Sequence, residues 1–389
     1  MLKASSSMSS TAEHLRLLTL FSVLSRICII GLVWLTSKFP QFDSSAQTLL
    51  DETAYPFTST LLRWDAFHFA QIAQEGYVYE YQWAFFPGTP AIMNVLARLV
   101  KFVTGSTIPV GWVDVLRAGG IAALLCDSTH TLYHLSLHHL GSPSLAFLAA
   151  LLSLLPSSPA TLRFAGYTEP FFTYLSYKAG FILWGLIVKP FLQGRKPRPL
   201  HVVYAIVLTA LIFAPFIIYQ YAAYRTFCMP DTPDTPTRPW CSDAIPSIYT
   251  FVQSHYWNVG FLRYWTLSQL PNILLASPVL ALLFAFSLVH LYHAVPRLLR
   301  FSAVKRKPYP FYNESITPHA MHALVMSCAY LFASHTQIVL RQAAAMPLVY
   351  WAAAWLVVEK PRWGKVWVVW SVVWGAISVV LWTAFLPPA

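Results

Sequence analysis

Apolar runs of about the length of a membrane span recur along the whole chain of 389 residues. A transmembrane helix needs about 20 mostly apolar residues. In lipid the backbone must satisfy its own hydrogen bonds, so these runs are expected to be helical. The runs cover residues 14–34, 90–103, 110–132, 143–155, 171–192, 202–222, 273–293, 319–335, 343–358 and 366–386. The sequence therefore predicts an all-α, polytopic membrane protein with about nine or ten transmembrane helices.

Composition excludes the main soluble classes. Only 11% of the residues are charged and 57% are hydrophobic, whereas soluble domains carry about 25% charged residues. A chain with so few charges cannot solvate its own surface, which excludes a water-soluble enzyme, a disordered protein and a DNA-binding domain. The formal net charge of +11 is therefore attributed to basic loops on the cytosolic side of a membrane, and no nucleic-acid partner is expected.

Two polar segments, residues 37–88 and 223–271, are too long to be simple connectors. The first contains a helix-like pattern from Arg63 to Gly76, with small or aromatic residues at helical spacing, as in a helix lying along a membrane surface. Long loops are where function tends to lie. We expect one integral membrane domain, residues 1–389, that carries both segments on one side.

Orientation follows from the Lys/Arg bias of the short loops. Basic residues cluster at 195–198, 297–307 and 360–365, and these clusters should be cytosolic. Both polar segments are then lumenal, with a cytosolic N-terminus. One run conflicts with this scheme: if 143–155 crosses, the 195–198 cluster falls in the lumen. Either that run is re-entrant or a helix is missing before the cluster.

Cysteine usage leaves one question open. Cys228 and Cys241 flank a polar, Pro-rich stretch, and they could form a disulfide if it faces an oxidising lumen. No Cys or His cluster has the spacing of a zinc site. We therefore expect no metal and no cofactor.

The sharpest constellation of polar residues is the run from Arg63 to His68, Arg-Trp-Asp-Ala-Phe-His. Asp65, flanked by Arg63, Trp64 and His68, could act as a general base beside a bound sugar or phosphate, which is typically worth about 10²–10⁴-fold in rate. The alternative is that Asp65 caps the helix that follows, because Asp is a preferred N-cap residue. Residue spacing alone does not decide between them.

Further candidates are polar or aromatic residues at the same expected face. Glu80 and Phe86 lie in an aromatic run that fits a sugar site or an interfacial belt. Glu169, after Tyr167, opens an apolar helix and is favourable to its dipole.

Another group of candidates lies in the C-terminal half. Asn258 and Arg263 belong to the second polar segment. His335, Gln337 and Arg341 lie among apolar residues, where ionisable groups suggest a functional site, although Arg341 could also snorkel to the surface.

An ordered set of short motifs resembles the GPI mannosyltransferase 2 family, which adds the second mannose to the glycosylphosphatidylinositol (GPI) precursor. The set spans residues 61–351 and comprises Arg63-Trp-Asp-Ala66, Glu75-Gly-Tyr77, Phe85-Phe-Pro-Gly88, Tyr167-Thr-Glu169, Tyr256-Trp-Asn-Val-Gly260, Pro271-Asn272 and His335-Thr-Gln337 with Arg341. An Arg-Ser-Asn-Gly-type segment of that family is absent after Lys178, as if an internal helix had been lost.

The resemblance implies a GT-C-like bundle in the endoplasmic-reticulum membrane, with a lumenal active site. The donor would be dolichyl-phosphate-mannose, the acceptor the GPI precursor, the linkage α-1,6, and Asp65 the catalytic residue. The other named candidates would bind substrate. Membrane lipids are expected partners, and whether a small membrane subunit also binds is an open question.

Two other functions remain compatible with the composition. A polytopic transporter would place charged residues at mid-membrane and use broken helices, whereas the polar residues here collect at one expected face. A GT-C glycosyltransferase with another lipid-linked acceptor would share the same fold.

Overall fold

The computed structural model describes residues 2–43, 45–50, 56–179, 188–194, 196, 198–229, 238–299 and 309–386. No strand occurs in this part of the chain. The α-helices are α1 (Leu2–Thr36), α2 (Pro56–Ser59), α3 (Asp65–Glu75), α4 (Gly88–Val103), α5 (Trp112–Leu125), α6 (Thr129–Leu140), α7 (Pro143–Leu152), α8 (Pro159–Arg163), α9 (Glu169–Ala179), α10 (Lys189–Leu192), α11 (Pro199–Cys228), α12 (Ile248–Tyr256), α13 (Leu270–Leu298), α14 (Thr317–Phe332), α15 (Val339–Gln342), α16 (Pro347–Glu359) and α17 (Pro361–Thr383).

Four stretches of the described residues are helical, long and apolar enough to cross a membrane. They are Thr11–Thr36, Pro199–Cys228, Leu267–Leu298 and Pro361–Thr383. The prediction of an all-α, polytopic membrane protein is confirmed. The count of nine or ten spans and the single domain stay predictions.

The two ends of the bundle are defined by α1 and α17. The last residues of these helices, Thr36 and Thr383, meet through their hydroxyls at 2.7 Å. We call this the Thr383 end. The C-terminal part of α11 and the first turn of α13 lie on the same side. Tyr219 of α11 donates to the carbonyl of Phe85 at 3.1 Å, and Asn272 of α13 donates to the hydroxyl of Tyr264 at 3.0 Å.

Helices α5 and α6 together make one pass through the bundle. Asp127, at the break between them, accepts a hydrogen bond from Ser22 at 2.8 Å. Further along, Tyr133 lies 3.2 Å from His14. Residues that come later in α5 and α6 thus contact residues that come earlier in α1. Residues 112–140 therefore run antiparallel to α1 and away from the Thr383 end.

Residues 143–167 return to the Thr383 end. Ala146 and Ala150 pack against Leu18, whereas Arg163 donates to Ser25 at 3.0 Å. This segment, which contains α7 and α8, therefore runs parallel to α1. The run 143–155 takes part in a crossing that is completed, beyond a break, by the residues up to 167.

Helix α4 has both of its termini on the side of the Thr383 end, so it does not cross the bundle. Thr89 in its first turn donates to Thr168 at 3.2 Å, and Lys101 near its other end pairs with Asp114 in the first turn of α5 at 2.8 Å. Since α5 also starts from the Thr383 end, α4 and α5 form a hairpin. The run 90–103, expected to span the membrane, is thus part of that hairpin, and with one span fewer before it the 195–198 cluster falls on the cytosolic side of the predicted topology.

The described basic residues of the three clusters lie away from the Thr383 end. Lys196 and Arg198 precede α11, Arg297 ends α13, and Lys360 with Arg362 lies where α17 begins. Arg195, Arg300 and the basic residues of 305–307 lie outside the described residues, as do residues 180–187 next to Lys178, where a segment is expected to be missing.

Charged side chains, buried or partly buried, lie at the breaks of the two interrupted crossings. Arg26 donates to the carbonyl of Leu124 at 2.9 Å and lies 3.7 Å from Asp127. Arg163 donates to the carbonyl of Ser153 at 3.0 Å. Backbone groups freed at a break inside a membrane need such partners. A transporter was expected to carry charged residues at mid-membrane. Here Arg26 and Arg163 instead satisfy backbone carbonyls of the fold.

Candidate functional site

Asp65 is the first residue of α3, at the Thr383 end. The N-cap position is occupied by Trp64, and no side chain makes a capping hydrogen bond there. The carboxylate of Asp65 instead lies 2.9 Å from Nη1 of Arg341. The structure therefore does not support the capping alternative.

Arg341 joins two carboxylates that are far apart in sequence. Its Nε donates to Oε1 of Glu169 at 2.7 Å, while its Nη1 faces Asp65. The guanidinium also lies over the ring of Tyr167, 4.9 Å from the centroid. Burial alone would lower the pKa of Arg341, but the charges of Glu169 and Asp65 outweigh burial and raise that pKa. The centre holds one cation and two anions.

Close backbone packing brings Tyr167 and Glu169 to this centre. A Cβ on Gly166 would lie 2.9 Å from Cα of Gly119, so only glycine lets α5 and the chain before α9 approach so closely. Tyr167 then donates from its hydroxyl to the carbonyl of Arg63 at 3.0 Å. Glu169 starts α9, so it has both the helix-dipole position and the contact with Arg341.

The centre combines exposed and buried acceptors. The side chain of Asp65 is 34% exposed, that of Arg341 17% and that of Glu169 7%. Oε2 of Glu169 is buried and has no hydrogen-bond partner among the described residues. Buried polar atoms are usually paired, so this oxygen is an acceptor that the described residues leave unsatisfied.

His68 lies one turn after Asp65 on the same face of α3. Its ring stacks on Phe85 at 4.5 Å. Desolvation by burial lowers the pKa of His68, and the nearby charge of Asp65 opposes that effect without cancelling it. His68 is therefore a neutral imidazole at neutral pH.

A second cluster joins the candidates of the C-terminal half. His335 donates from Nε2 to the carbonyl of Trp257 at 2.9 Å and stacks on Tyr264 at 4.8 Å. The hydroxyl of Tyr264 donates to Gln337 and accepts from Asn272 at 3.0 Å. The residues 257–272 and 335–337 thus form one polar layer.

Phe85 connects the two clusters. It stacks on His68 and makes an edge-to-face contact with Trp257 at 5.7 Å. Direct contacts therefore run from α3 through Phe85 and Trp257 to His335. Asp65 and Glu169 are joined through Arg341, which contacts both carboxylates, and His335 is linked to α3 through these aromatic rings.

Arg63 lies next to the centre but faces away from it. Its side chain is fully buried. It donates to the carbonyls of Ser59 at 2.7 Å and Leu62 at 3.0 Å, and to Gln41 at 3.1 Å. These contacts stabilise the turn before α3, so the structure gives Arg63 backbone partners rather than an open binding position.

Glu80 and Phe86 join the two polar segments. Glu80 accepts from Trp240 at 3.0 Å and from Tyr256 at 3.2 Å. Phe86 packs on Tyr219 of α11 at 5.2 Å.

Three candidates lie on the surface. Trp64, Asn258 and Arg263 are exposed. Within the described residues Arg263 forms no salt bridge, so its cation is not neutralised by a protein carboxylate.

The second polar segment contains the disulfide Cys228–Cys241, beside Trp240. Within the described part of the chain, no group of three or more His, Cys, Asp or Glu side chains could hold a metal ion.

Comparison with known proteins decides the family. The family model described as Mannosyltransferase (PIG-V) matches residues 14–188 and 191–389. The chain belongs to this family. It is similar to GPI mannosyltransferase 2 of Cryptococcus neoformans (strain JEC21), with 34% identity covering 96% of this chain and 99% of the relative. It is also similar to GPI mannosyltransferase 2 of Yarrowia lipolytica (30%; 97% and 100%) and to GPI alpha-1,6-mannosyltransferase 2 of Cricetulus griseus (29%; 82% and 76%).

No solved structure gives a significant match to this mannosyltransferase. The alignment with the Cryptococcus relative runs over 433 positions, more than the 389 residues of this chain. The relative therefore has residues without a counterpart here, and that they lie after Lys178 stays a prediction.

Several residues of this mannosyltransferase that shape the site were not among the sequence candidates. Phe85, Trp257 and Tyr264 lie within or beside the quoted motifs, so the motifs pointed to their neighbourhood. Trp382 and Phe385 lie in or next to an apolar run and carried no local signal, because their partners come from residues 59–64.

Proposed function

We propose that this mannosyltransferase moves mannose from dolichyl-phosphate-mannose to the first mannose of the GPI precursor in α-1,6 linkage. The names of the Cryptococcus and Cricetulus relatives support the acceptor and the linkage. The observation that carries the proposal is the grouping of Asp65, Glu169 and Arg341 at one end of a membrane-spanning bundle. Both substrates are lipids, so a site at the end of the bundle can receive them with their tails in the membrane.

The reaction is a single displacement with inversion at the anomeric carbon. The 6-hydroxyl oxygen of the acceptor mannose forms the new bond to C1 of the donor mannose. The bond between C1 and the phosphate oxygen breaks, and its electron pair leaves with dolichyl phosphate. Asp65 accepts the hydroxyl proton as general base. Its carboxylate is partly exposed, which fits contact with a substrate.

Arg341 offsets the negative charge that grows on the leaving phosphate. Fixed charges directed at developing charge are often the largest catalytic contribution. Glu169 holds the guanidinium through Nε, so Nη1 can turn from Asp65 to the phosphate while the side chain stays anchored. The same turn frees Asp65 to accept the proton. Arg263, which is exposed and forms no salt bridge among the described residues, is the second cation that we propose for the phosphate.

Two observations support a lumenal site in the endoplasmic reticulum. The basic clusters lie away from the Thr383 end, as expected for cytosolic loops. The disulfide Cys228–Cys241 lies in a segment at the Thr383 end, and disulfides persist in oxidising compartments. Phosphate is already a good leaving group, so the proposal includes no metal.

The test uses microsomes from cells that lack second-mannose transfer, with and without this chain. With labelled dolichyl-phosphate-mannose and EDTA present, we expect a lipid-linked GPI precursor that carries two mannoses, sensitive to an α-1,6-mannosidase. A product on another lipid-linked acceptor would overturn the GPI proposal. Loss of the reaction in EDTA, restored by a divalent cation, would overturn the metal-free mechanism.

A further inference from the structure

The turn that ends α17 is fastened to the segment that leads into Asp65. Trp382, fully buried, donates from its indole nitrogen to the carbonyl of Thr60 at 2.9 Å. Arg63 donates from Nη2 to the carbonyl of Thr383 at 3.4 Å. The ring of Phe385 lies 4.8 Å from the guanidinium carbon of Arg63. We call these four residues, Arg63, Trp382, Thr383 and Phe385, the α17 clamp.

The clamp holds the backbone of its partner segment directly. Arg63 donates to the carbonyls of Ser59 and Leu62, which closes the turn just before α3. A guanidinium offers several donors in a rigid plane, so one side chain fixes several carbonyls at once. The direction in which α3 leaves this turn depends on that arrangement.

The residue between the clamp and Asp65 has a strained backbone. Trp64 has φ 50° and ψ −123°, and Phe385 has φ 61°. Their rings pack at 5.4 Å. Non-glycine residues keep such conformations only where the surrounding structure imposes them, and here the two strained residues support each other.

The clamp also fixes the opposite wall of the centre. The carbonyl of Arg63 accepts the hydroxyl of Tyr167, and the ring of Tyr167 lies under the guanidinium of Arg341. The positions of Asp65 and of the Tyr167 ring beneath Arg341 therefore both depend on the backbone of Arg63.

We propose that the α17 clamp is a positioning element for the general base, with Arg63 and Trp382 as positioning residues that act through Trp64. This inference rests on the proposed function, because Asp65 must be the base for its position to set the rate. It assigns a role in transfer to the turn that ends α17.

The first experiment measures turnover per folded protein in Trp382→Phe, which removes one donor and keeps an aromatic ring. Its matched control is Trp351→Phe, since Trp351 is equally buried and donates to Ser136 at 2.7 Å in the core far from Asp65. Arg63→Lys, which keeps the charge and loses the planar donors, is the stronger variant. Phe385→Leu is a mild one.

A small displacement of a catalytic group can cost about 10²-fold in rate. We expect a loss of that order in kcat for Arg63→Lys and a smaller loss for Trp382→Phe and Phe385→Leu, with KM for the donor unchanged. Trp351→Phe should retain wild-type kcat. Equal kcat in Trp382→Phe and Trp351→Phe, both recovered as folded protein, would overturn the proposal. If Asp65→Asn keeps full activity in the same assay, the proposed role of Asp65 fails instead.

A second experiment needs no activity. Cysteines replace Asp65 and Arg341 in a chain whose three free cysteines are Ser, and a short bifunctional thiol reagent joins them. Adding Trp382→Phe should lower the cross-linked fraction, while adding Trp351→Phe should not. Equal cross-linking in both would overturn the proposal.

Discussion

Asp65 and Glu80 are two carboxylates of the same polar segment, yet the fold uses them differently. Asp65 is 34% exposed and has Arg341 within 2.9 Å. Glu80 is 8% exposed and accepts from Trp240 and Tyr256, with Arg238 at 3.7 Å. One carboxylate is partly exposed and pairs with a guanidinium, whereas the other is buried between two neutral donors, with Arg238 further away.

The difference in exposure distinguishes a carboxylate that can react, Asp65, from one that holds two segments together, Glu80. A partly exposed carboxylate can exchange its partner for a substrate hydroxyl at little cost. A buried carboxylate bonded by several donors is held, because leaving any of them unpaired is expensive. Under the proposed mechanism, the segment 37–88 supplies the general base at Asp65, and Glu80 joins the same segment to residues 238–256.

The largest expected effect comes from Asp65→Asn. Asn keeps the shape but cannot accept the proton, so kcat should fall about 10²–10⁴-fold with no loss of folded protein. Mannose transfer per folded protein in detergent measures it, and Asp243→Asn, at an exposed acidic residue, is the control. Full activity of Asp65→Asn would show that Asp65, like Glu80, is not the carboxylate that reacts.

Glu169→Gln should damage both stability and rate. Breaking a buried ion pair costs roughly 3 kcal/mol or more, and Arg341 keeps Asp65 as its remaining partner. We expect a lower Tm and a slower transfer, measured by thermal unfolding and by kcat. Glu75→Gln, at an exposed residue of α3, should change neither; a wild-type Tm in Glu169→Gln would show that Glu169 does not anchor Arg341.

Glu80→Gln should lower stability without slowing the folded enzyme. Gln retains one acceptor but loses the charge and the second acceptor, worth about 1–2 kcal/mol. Residues 238–256 should become more sensitive to limited proteolysis, while kcat per folded protein stays at the wild-type value. A selective loss of kcat would place Glu80 with Asp65 in the chemistry.

The smallest effect concerns the acid side of the stability profile. The pKa of His68 is lowered in the folded protein from its ordinary 6.5, so the folded state binds the proton less well than the unfolded state. Its contribution to stability is present above pH 6.5 and is lost as the pH falls through the folded pKa. His68→Gln should flatten this acid loss of Tm, and the exposed control His255→Gln should not.

Local pattern was sufficient where the physics is local. The apolar runs predicted the helices because lipid forces the backbone to bond within each segment, and the basic clusters predicted which ends lie together. The motifs around Asp65, Glu169 and Arg341 indicated the candidate site through the family resemblance. The sequence left open whether Cys228 and Cys241 form a disulfide, and the structure shows that they do.

The sequence by itself determined the class of this protein: helices, membrane, a family and a short list of polar residues. Only the tertiary structure decided the roles within that list, because they depend on partners far away in the chain. It placed Arg341 between Asp65 and Glu169, and it turned Arg63 to backbone carbonyls. It also paired the run 90–103 with α5 as half of a hairpin, because hydropathy does not say where the two ends of a helix come to lie.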